Sequence, residues 1–252
     1  LGAWAAGRLF SERRSPWWTA IVVAACLVMV LLSEARTAGL ALVLGATIAL
    51  LVTPALSDKP AGQVLVGLRT KRFYLVAGLT FIVLLTNAST ISEDVSAYIS
   101  KSRRAEVRTL AQAYELSRGA MIVEMWENFK ARPFQGIGFG VSSDPEEMIV
   151  QRDPLSGLPI SATVEKGVLP LAVLEELGVF GLLAVLLWLW MLMRRSARGG
   201  GITALLVLFV ALLTNMGESV LFSPGGMGLL SLVLVGWAAS QRSEVSVEVS
   251  NA

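Results

Sequence analysis

Val168-Leu-Pro-Leu-Ala-Val-Leu-Glu-Glu-Leu-Gly-Val-Phe-Gly-Leu-Leu-Ala-Val-Leu-Leu-Trp-Leu-Trp-Met-Leu-Met193 decides the fold. A bilayer core is about 30 Å thick, and a helix crossing it needs roughly 17–25 mostly apolar residues. This stretch meets that length, and after Glu176 it carries no charge until Arg194. Arg194, Arg195 and Arg198 follow, then Gly199-Gly-Gly201, then a second apolar run, Ile202–Phe222. Outward from this pair, Trp17–Leu32, Ala38–Leu56, Phe73–Ala88 and Gly226–Ser240 are also apolar, which gives six candidate spans. The composition agrees. The chain has 252 residues, 54% hydrophobic and only 16% charged, with a mean hydropathy of +0.66. Soluble domains carry about 25% charged residues, so the apolar excess is expected to face lipid.

Lysines and arginines in the short loops set the expected orientation. Arg8, Arg13 and Arg14 precede the first span, and Lys59, Arg69, Lys71 and Arg72 lie between the second and third. Arg194, Arg195 and Arg198 follow the fourth span and Arg242 the sixth, whereas Arg36 is alone in the short loops of opposite side. The expectation is an all-α, polytopic transmembrane bundle of about six spans with both termini cytoplasmic. Residues 1–91 hold three spans, 92–167 a large outer loop with amphipathic helix, 168–241 three more spans, and 242–252 a cytoplasmic tail. Because Leu1–Phe10 reads as the end of an apolar segment with no small-residue cleavage site, the chain is expected to be a fragment lacking upstream helices.

Whole chemistries are excluded. With no histidine there is no Ser-His-Asp triad, His-ligated zinc or H-E-x-x-H helix. One cysteine, Cys26, leaves no internal disulfide or cysteine-cluster metal site. A net charge of +2 gives no basis for a nucleic-acid partner.

The outer loop has its own pattern. Val107, Leu110, Ala111, Tyr114, Arg118, Met121, Ile122, Met125 and Phe129 recur at three- and four-residue steps, which predicts an amphipathic helix. Pro133 predicts its end by Ala131. Arg118 lies on the apolar stripe, where a guanidinium needs an anionic partner. Gly136-Ile-Gly138-Phe-Gly140 follows a helix and precedes a polar loop, so it lacks the βαβ context of a dinucleotide fingerprint. It reads either as a structural turn or as a turn presenting N–H groups to an anion. From Asp153 to Pro159 the composition suits an ordered turn or a flap. Glu165 and Lys166 stand at the outer mouth of the fourth span, either as interfacial anchors or as a carboxylate able to accept a proton beside a pocket.

Four blocks in order resemble the C-terminal half of the bacterial O-antigen ligase and polymerase family. They are Ser33-Glu-Ala-Arg36-Thr-Ala-Gly39; Arg118-Gly-Ala-Met-Ile-Val-Glu-Met-Trp126 with Ala131-Arg-Pro-Phe-Gln-Gly-Ile-Gly-Phe-Gly140; Leu174-Glu-Glu-Leu-Gly-Val-Phe-Gly181; and Asn215-Met-Gly-Glu-Ser219. The resemblance runs from about Ser33 to Ser240. It implies a glycosyltransferase of the bacterial inner membrane. Such an enzyme moves a glycan from an undecaprenyl-pyrophosphate donor to a sugar or lipid hydroxyl on the periplasmic side, in surface polysaccharide assembly, with no metal and no cofactor.

By position, the resemblance makes Arg36 and Arg118 the arginines that hold the pyrophosphate. Many ligases carry a proposed catalytic histidine eleven residues before the first glycine of the Leu-Gly-x-x-Gly step; here that position is Gly167. The nearest titratable groups are Glu165 and Lys166, so Glu165 is the candidate base. Lys166, Gly136, Gly138 and Glu218 complete the candidate binding set. A transporter or channel, or a non-catalytic membrane scaffold, is the alternative; repeats would mark the transporter, and convergence of Arg36 and Arg118 on one outward cavity would mark the enzyme.

Overall fold

The computed structural model describes residues 1–32, 36–71, 73–74, 78, 110–143, 150–152, 159–162, 166, 168–216, 221 and 227–241. Among them the chain is helical apart from one short hairpin. The helices are α1 (Gly2–Ser11), α2 (Trp17–Leu32), α3 (Arg36–Leu56), α4 (Ala61–Val64), a 3-10 turn at Val66–Arg69, α5 (Leu110–Ala131), α6 (Leu169–Thr214) and α7 (Met227–Ser240). Strands β1 (Val150–Arg152) and β2 (Pro159–Ala162) pair antiparallel, with Val150 opposite Ala162 and a register shift between Gln151 and Arg152. The hairpin is an addition to the all-α expectation, since strands of three and four residues are too short to show alternation.

Two helices are long and apolar enough to cross a membrane, α3 through its Ala38–Leu56 window and α6. Core helices of soluble proteins meet the same length test but are mostly buried. Here only 28% of the apolar window of α3 and 6% of that of α6 is buried. Leu183, Leu187 and Met191 are each more than half exposed along α6, an apolar surface of the kind that meets a membrane or another protein. The shorter apolar helices are Trp17–Val30 within α2 and Gly228–Ser240 within α7. The third expected span, Phe73–Ala88, lies almost wholly outside the described residues.

The break expected at Arg194–Gly201 contracts to a single residue. Helical structure continues through Arg194, Arg195, Ala197 and Arg198, residue types with good helix propensity. The chain is redirected at Gly201, whose φ of +59° is left-handed backbone. Without that redirection, 46 residues would make a rod of about 70 Å, more than twice a bilayer core.

The described chain forms two compact units. One comprises residues 1–110, 191–213 and 234–252, the other 111–190 and 214–233. In the first, Ile202, Ala204, Leu205, Leu206 and Leu208 are fully buried on all sides of the helix. Residues small enough for close approach surround them. Gly7 on α1 faces Thr203, where a Cβ would come within 2.5 Å of backbone. On α3, Ala41, Gly45, Ala49 and Thr53 recur every four residues and are all buried, and a Cβ on Gly45 would meet Val210 Cγ2 at 3.0 Å. Small-residue stripes of this kind let helix backbones approach closely and gain association through contact. Trp4 of α1 stacks on Trp18 of α2 at 5.5 Å, with the Arg8 guanidinium over both rings.

Replacing Gly45 by leucine should cost about 1–3 kcal/mol through overpacking, read as earlier thermal unfolding in detergent. Thr47→Leu, on the exposed face of the same helix, should leave the transition unmoved.

Candidate functional site

The second unit contains a buried cluster of charge whose parts come from α5, the glycine turn, Lys166 and the start of α6. Pro170 suits the first turn of α6, where its missing N–H has no helical partner to lose. Eight residues on, Gly178 adopts φ +64°, and there the helix exchanges its own hydrogen bonds for bonds to the turn. Val179 N–H, which a regular helix would direct to Glu175 O, donates instead to Pro133 O at 2.8 Å. The Glu175 carbonyl accepts from Ile137 N–H at 2.9 Å, and the Glu176 carbonyl from Gly138 N–H at 3.1 Å.

This contact admits no side chain on either surface. A Cβ on Gly136 would lie 2.3 Å from the Glu176 carbonyl, and one on Gly178 would lie 2.4 Å from the Phe134 carbonyl. Gly136, Gly138 and Gly140 all have positive φ, so the spacing of three glycines is a backbone requirement of the turn.

The carboxylates behind those carbonyls are held from several directions. Glu175 is fully buried and Glu176 is 14% exposed. Lys166, itself buried, places its ammonium 2.8 Å from Glu175 Oε2 and 3.1 Å from Glu176 Oε1. The ammonium lacks hydrogen-bond alignment with either oxygen, so the attraction is one of charge. One cation between two carboxylates leaves a formal surplus of one negative charge, and dipoles supply the rest. Asn128 on α5 donates Nδ2–H to Glu175 Oε1 at 2.7 Å and also to the Ser143 carbonyl at 2.9 Å. Ser143 Oγ–H donates to Glu175 Oε2 at 3.1 Å, and Gly140 N–H to Glu176 Oε2 at 2.9 Å. A carboxylate removed from water requires this degree of satisfaction. Phe134 and Phe180 pack at 5.8 Å beside the turn and are both exposed.

Helix α5 carries Asn128. It ends at Ala131, and Met121, Ile122, Met125 and Phe129 are less exposed than their neighbours, with Met125 buried. Val123, on the opposite side, and Trp126, which flanks the stripe and packs on Phe129 at 5.2 Å, are apolar and exposed.

Of the sequence-expected site residues, Gly136, Gly138 and Lys166 come together in this cluster. The Gly136 N–H donates to Arg132 O and the Gly138 N–H to Glu176 O, so both are engaged within the chain. Arg36 opens α3 in the first unit and Arg118 lies within α5; their side chains, and Glu165 and Glu218 entirely, lie outside the described residues. Asn128, Ser143, Glu175 and Glu176 were not among the expected site residues. The signal for the glutamates was present, because two adjacent carboxylates in an apolar run need a cation, and Lys166 is the next basic residue upstream.

No family model, curated protein or solved structure matches this chain.

Lys166→Met removes the cation and leaves Glu175 buried beside a second carboxylate. A loss of about 3–5 kcal/mol is expected, seen as accelerated proteolysis of the 111–190 region. Glu127→Gln, in the exposed Lys130 pair, should change stability by less than about 1 kcal/mol.

Proposed function

We propose that this chain belongs to a membrane glycosyltransferase that transfers a glycan from a polyprenyl-pyrophosphate donor to a sugar or lipid hydroxyl. The finer topology is part of the proposal: six spans in the bacterial inner membrane, with residues 92–167 on the periplasmic side. The observation that carries the reading is the interlock of two of its sequence blocks. Ala131–Gly140 and Leu174–Gly181, read separately as resembling the O-antigen ligase and polymerase family, are joined by the Ile137–Glu175, Gly138–Glu176 and Val179–Pro133 hydrogen bonds. The apolar surfaces of α3 and α6 support a lipid-borne substrate.

The chemistry assigned is a direct displacement. The acceptor oxygen attacks the anomeric carbon, its proton passes to Glu165, and the bond from that carbon to the pyrophosphate oxygen breaks with its electron pair leaving on phosphate. Charge builds on the leaving group, so fixed cations lower the barrier. Arg36 and Arg118 take that role, since guanidinium forks match phosphate oxygens. In this scheme the cluster of Lys166, Glu175 and Glu176 keeps the glycine turn and the mouth of α6 in register, with Glu165 next to Lys166 in the chain. Glu218 supports the site from the following outer loop.

Complementation of a polysaccharide-deficient strain with the full-length gene tests this. Arg118→Ala is expected to lower polymer formation by about two to three orders of magnitude at equal protein level, and Glu165→Gln to abolish most of it. Full polymer with Arg118→Ala overturns the pyrophosphate clamp. Normal polymer with Glu165→Gln removes the base assignment.

A further inference from the structure

Within the first unit, a cavity of about 630 Å³ opens where three apolar segments end. Ser57 follows the last residue of α3, Gly199–Gly201 precede the buried Ile202 run of α6, and Gln241 follows the last residue of α7; all line it. Its volume falls within the range of small-ligand sites, about 300–1,000 Å³.

Arg8, Lys59 and Arg198 face it, against Glu12 in the lining and Asp58 paired with Arg198, for a formal excess of one positive charge (three minus two). Arg8 is fixed by its Glu12 pair and by the Trp4 and Trp18 rings at 5.0 and 5.6 Å. Arg198 is held by Asp58 at 2.6 Å. Lys59 makes no ion pair with the described residues, and its exposed ammonium stands at the opening.

Two further observations point to a ligand. Ser57 is 6% exposed and lines the cavity, yet its hydroxyl has no hydrogen-bond partner among the described residues. A buried hydroxyl left unpaired costs roughly 1–3 kcal/mol unless an acceptor reaches it. Next to it, Asp58 adopts a φ of 56°, the one positive φ among described non-glycine residues. Such strain persists where the surroundings impose it and is concentrated at binding sites; here the turn aims Asp58 at Arg198 and carries Lys59 onto the cavity.

We infer that this cavity binds a phosphate group, with Lys59, Arg198 and the Ser57 hydroxyl as its donors. A phosphate satisfies the donor excess because it offers acceptor oxygens and negative charge together. Its source is either an anionic phospholipid headgroup at the membrane boundary, as in basic pockets between apolar helices, or a soluble phosphorylated solute. The Trp4 and Trp237 walls give either one an apolar flank. The site is independent of the proposed transfer chemistry, which uses none of these residues.

The test is native mass spectrometry of the full chain in detergent, with short-chain phosphatidylglycerol and phosphatidylcholine as probes and inorganic phosphate as competitor. The wild type should retain phosphatidylglycerol over phosphatidylcholine. Lys59→Glu should lower that retention about tenfold. Ser57→Ala should lower it about threefold with thermal unfolding unchanged, since its hydroxyl makes no contact to lose. Lys130→Glu, a charge reversal in the other unit, should change nothing. Displacement by inorganic phosphate supports a soluble phosphate ligand, and persistence supports the lipid headgroup. Equal retention of the two lipids, an unaffected Lys59→Glu, or a Lys130→Glu loss as large as that of Lys59→Glu overturns the proposal.

Discussion

The order of the 111–190 region depends on a hydrogen-bond exchange at Gly178. A helix entering a membrane has every reason to keep its i to i−4 bonds, because an unpaired carbonyl in apolar surroundings is expensive. At this glycine α6 gives two carbonyls and one N–H to the 133–138 turn and receives equivalent partners in return. The Glu175 and Glu176 carbonyls and the Val179 N–H all find partners in the turn, so the interruption is tolerated. The glutamates at the interruption gain a fixed backbone from which their carboxylates reach Lys166, Asn128 and Ser143. Remove the left-handed conformation and the carbonyls return to the helix, the turn loses its acceptors, and the buried charges lose their geometry together.

The same logic of close approach governs the other unit by a different route. There the backbone at small residues comes against the neighbouring helix with no exchange of hydrogen bonds, and the contact depends on the absence of bulk at Gly7, Gly45, Ala41 and Ala49. Hydrophobicity alone does not distinguish these positions from the leucines beside them. Size does, and Leu40, Val43 and Leu44 beside them stay exposed.

Those two contacts mark what was legible in the sequence. The bounds of α2 and the Ala38–Leu56 window follow from apolar run length, and the end of α5 follows from Pro133. These are local properties of consecutive residues. The four-residue stripe on α3 was not read because a hydropathy pattern registers apolarity and ignores volume. The roles of Glu175 and Glu176 were not read because they depend on Gly178 abandoning helical geometry, which only a partner 40 residues away makes favourable. Gly136 and Gly138 lie in a turn, as their spacing predicts, but their N–H groups bind carbonyls of the chain and are not presented to an anion, while Gly140 N–H binds a carboxylate of the chain itself.

The exchange at Gly178 has a consequence for how the chain is made. The turn at 133–140 leaves the ribosome before the residues that accept its hydrogen bonds, since Glu175 follows Ile137 by 38 positions. Until α6 emerges, the N–H groups of Ile137, Gly138 and Gly140 lack their α6 acceptors, and Lys166 has no counter-charge from α6. Completion of the cluster is therefore coupled to delivery of the next helix, so the 111–143 segment and α6 mature as one step.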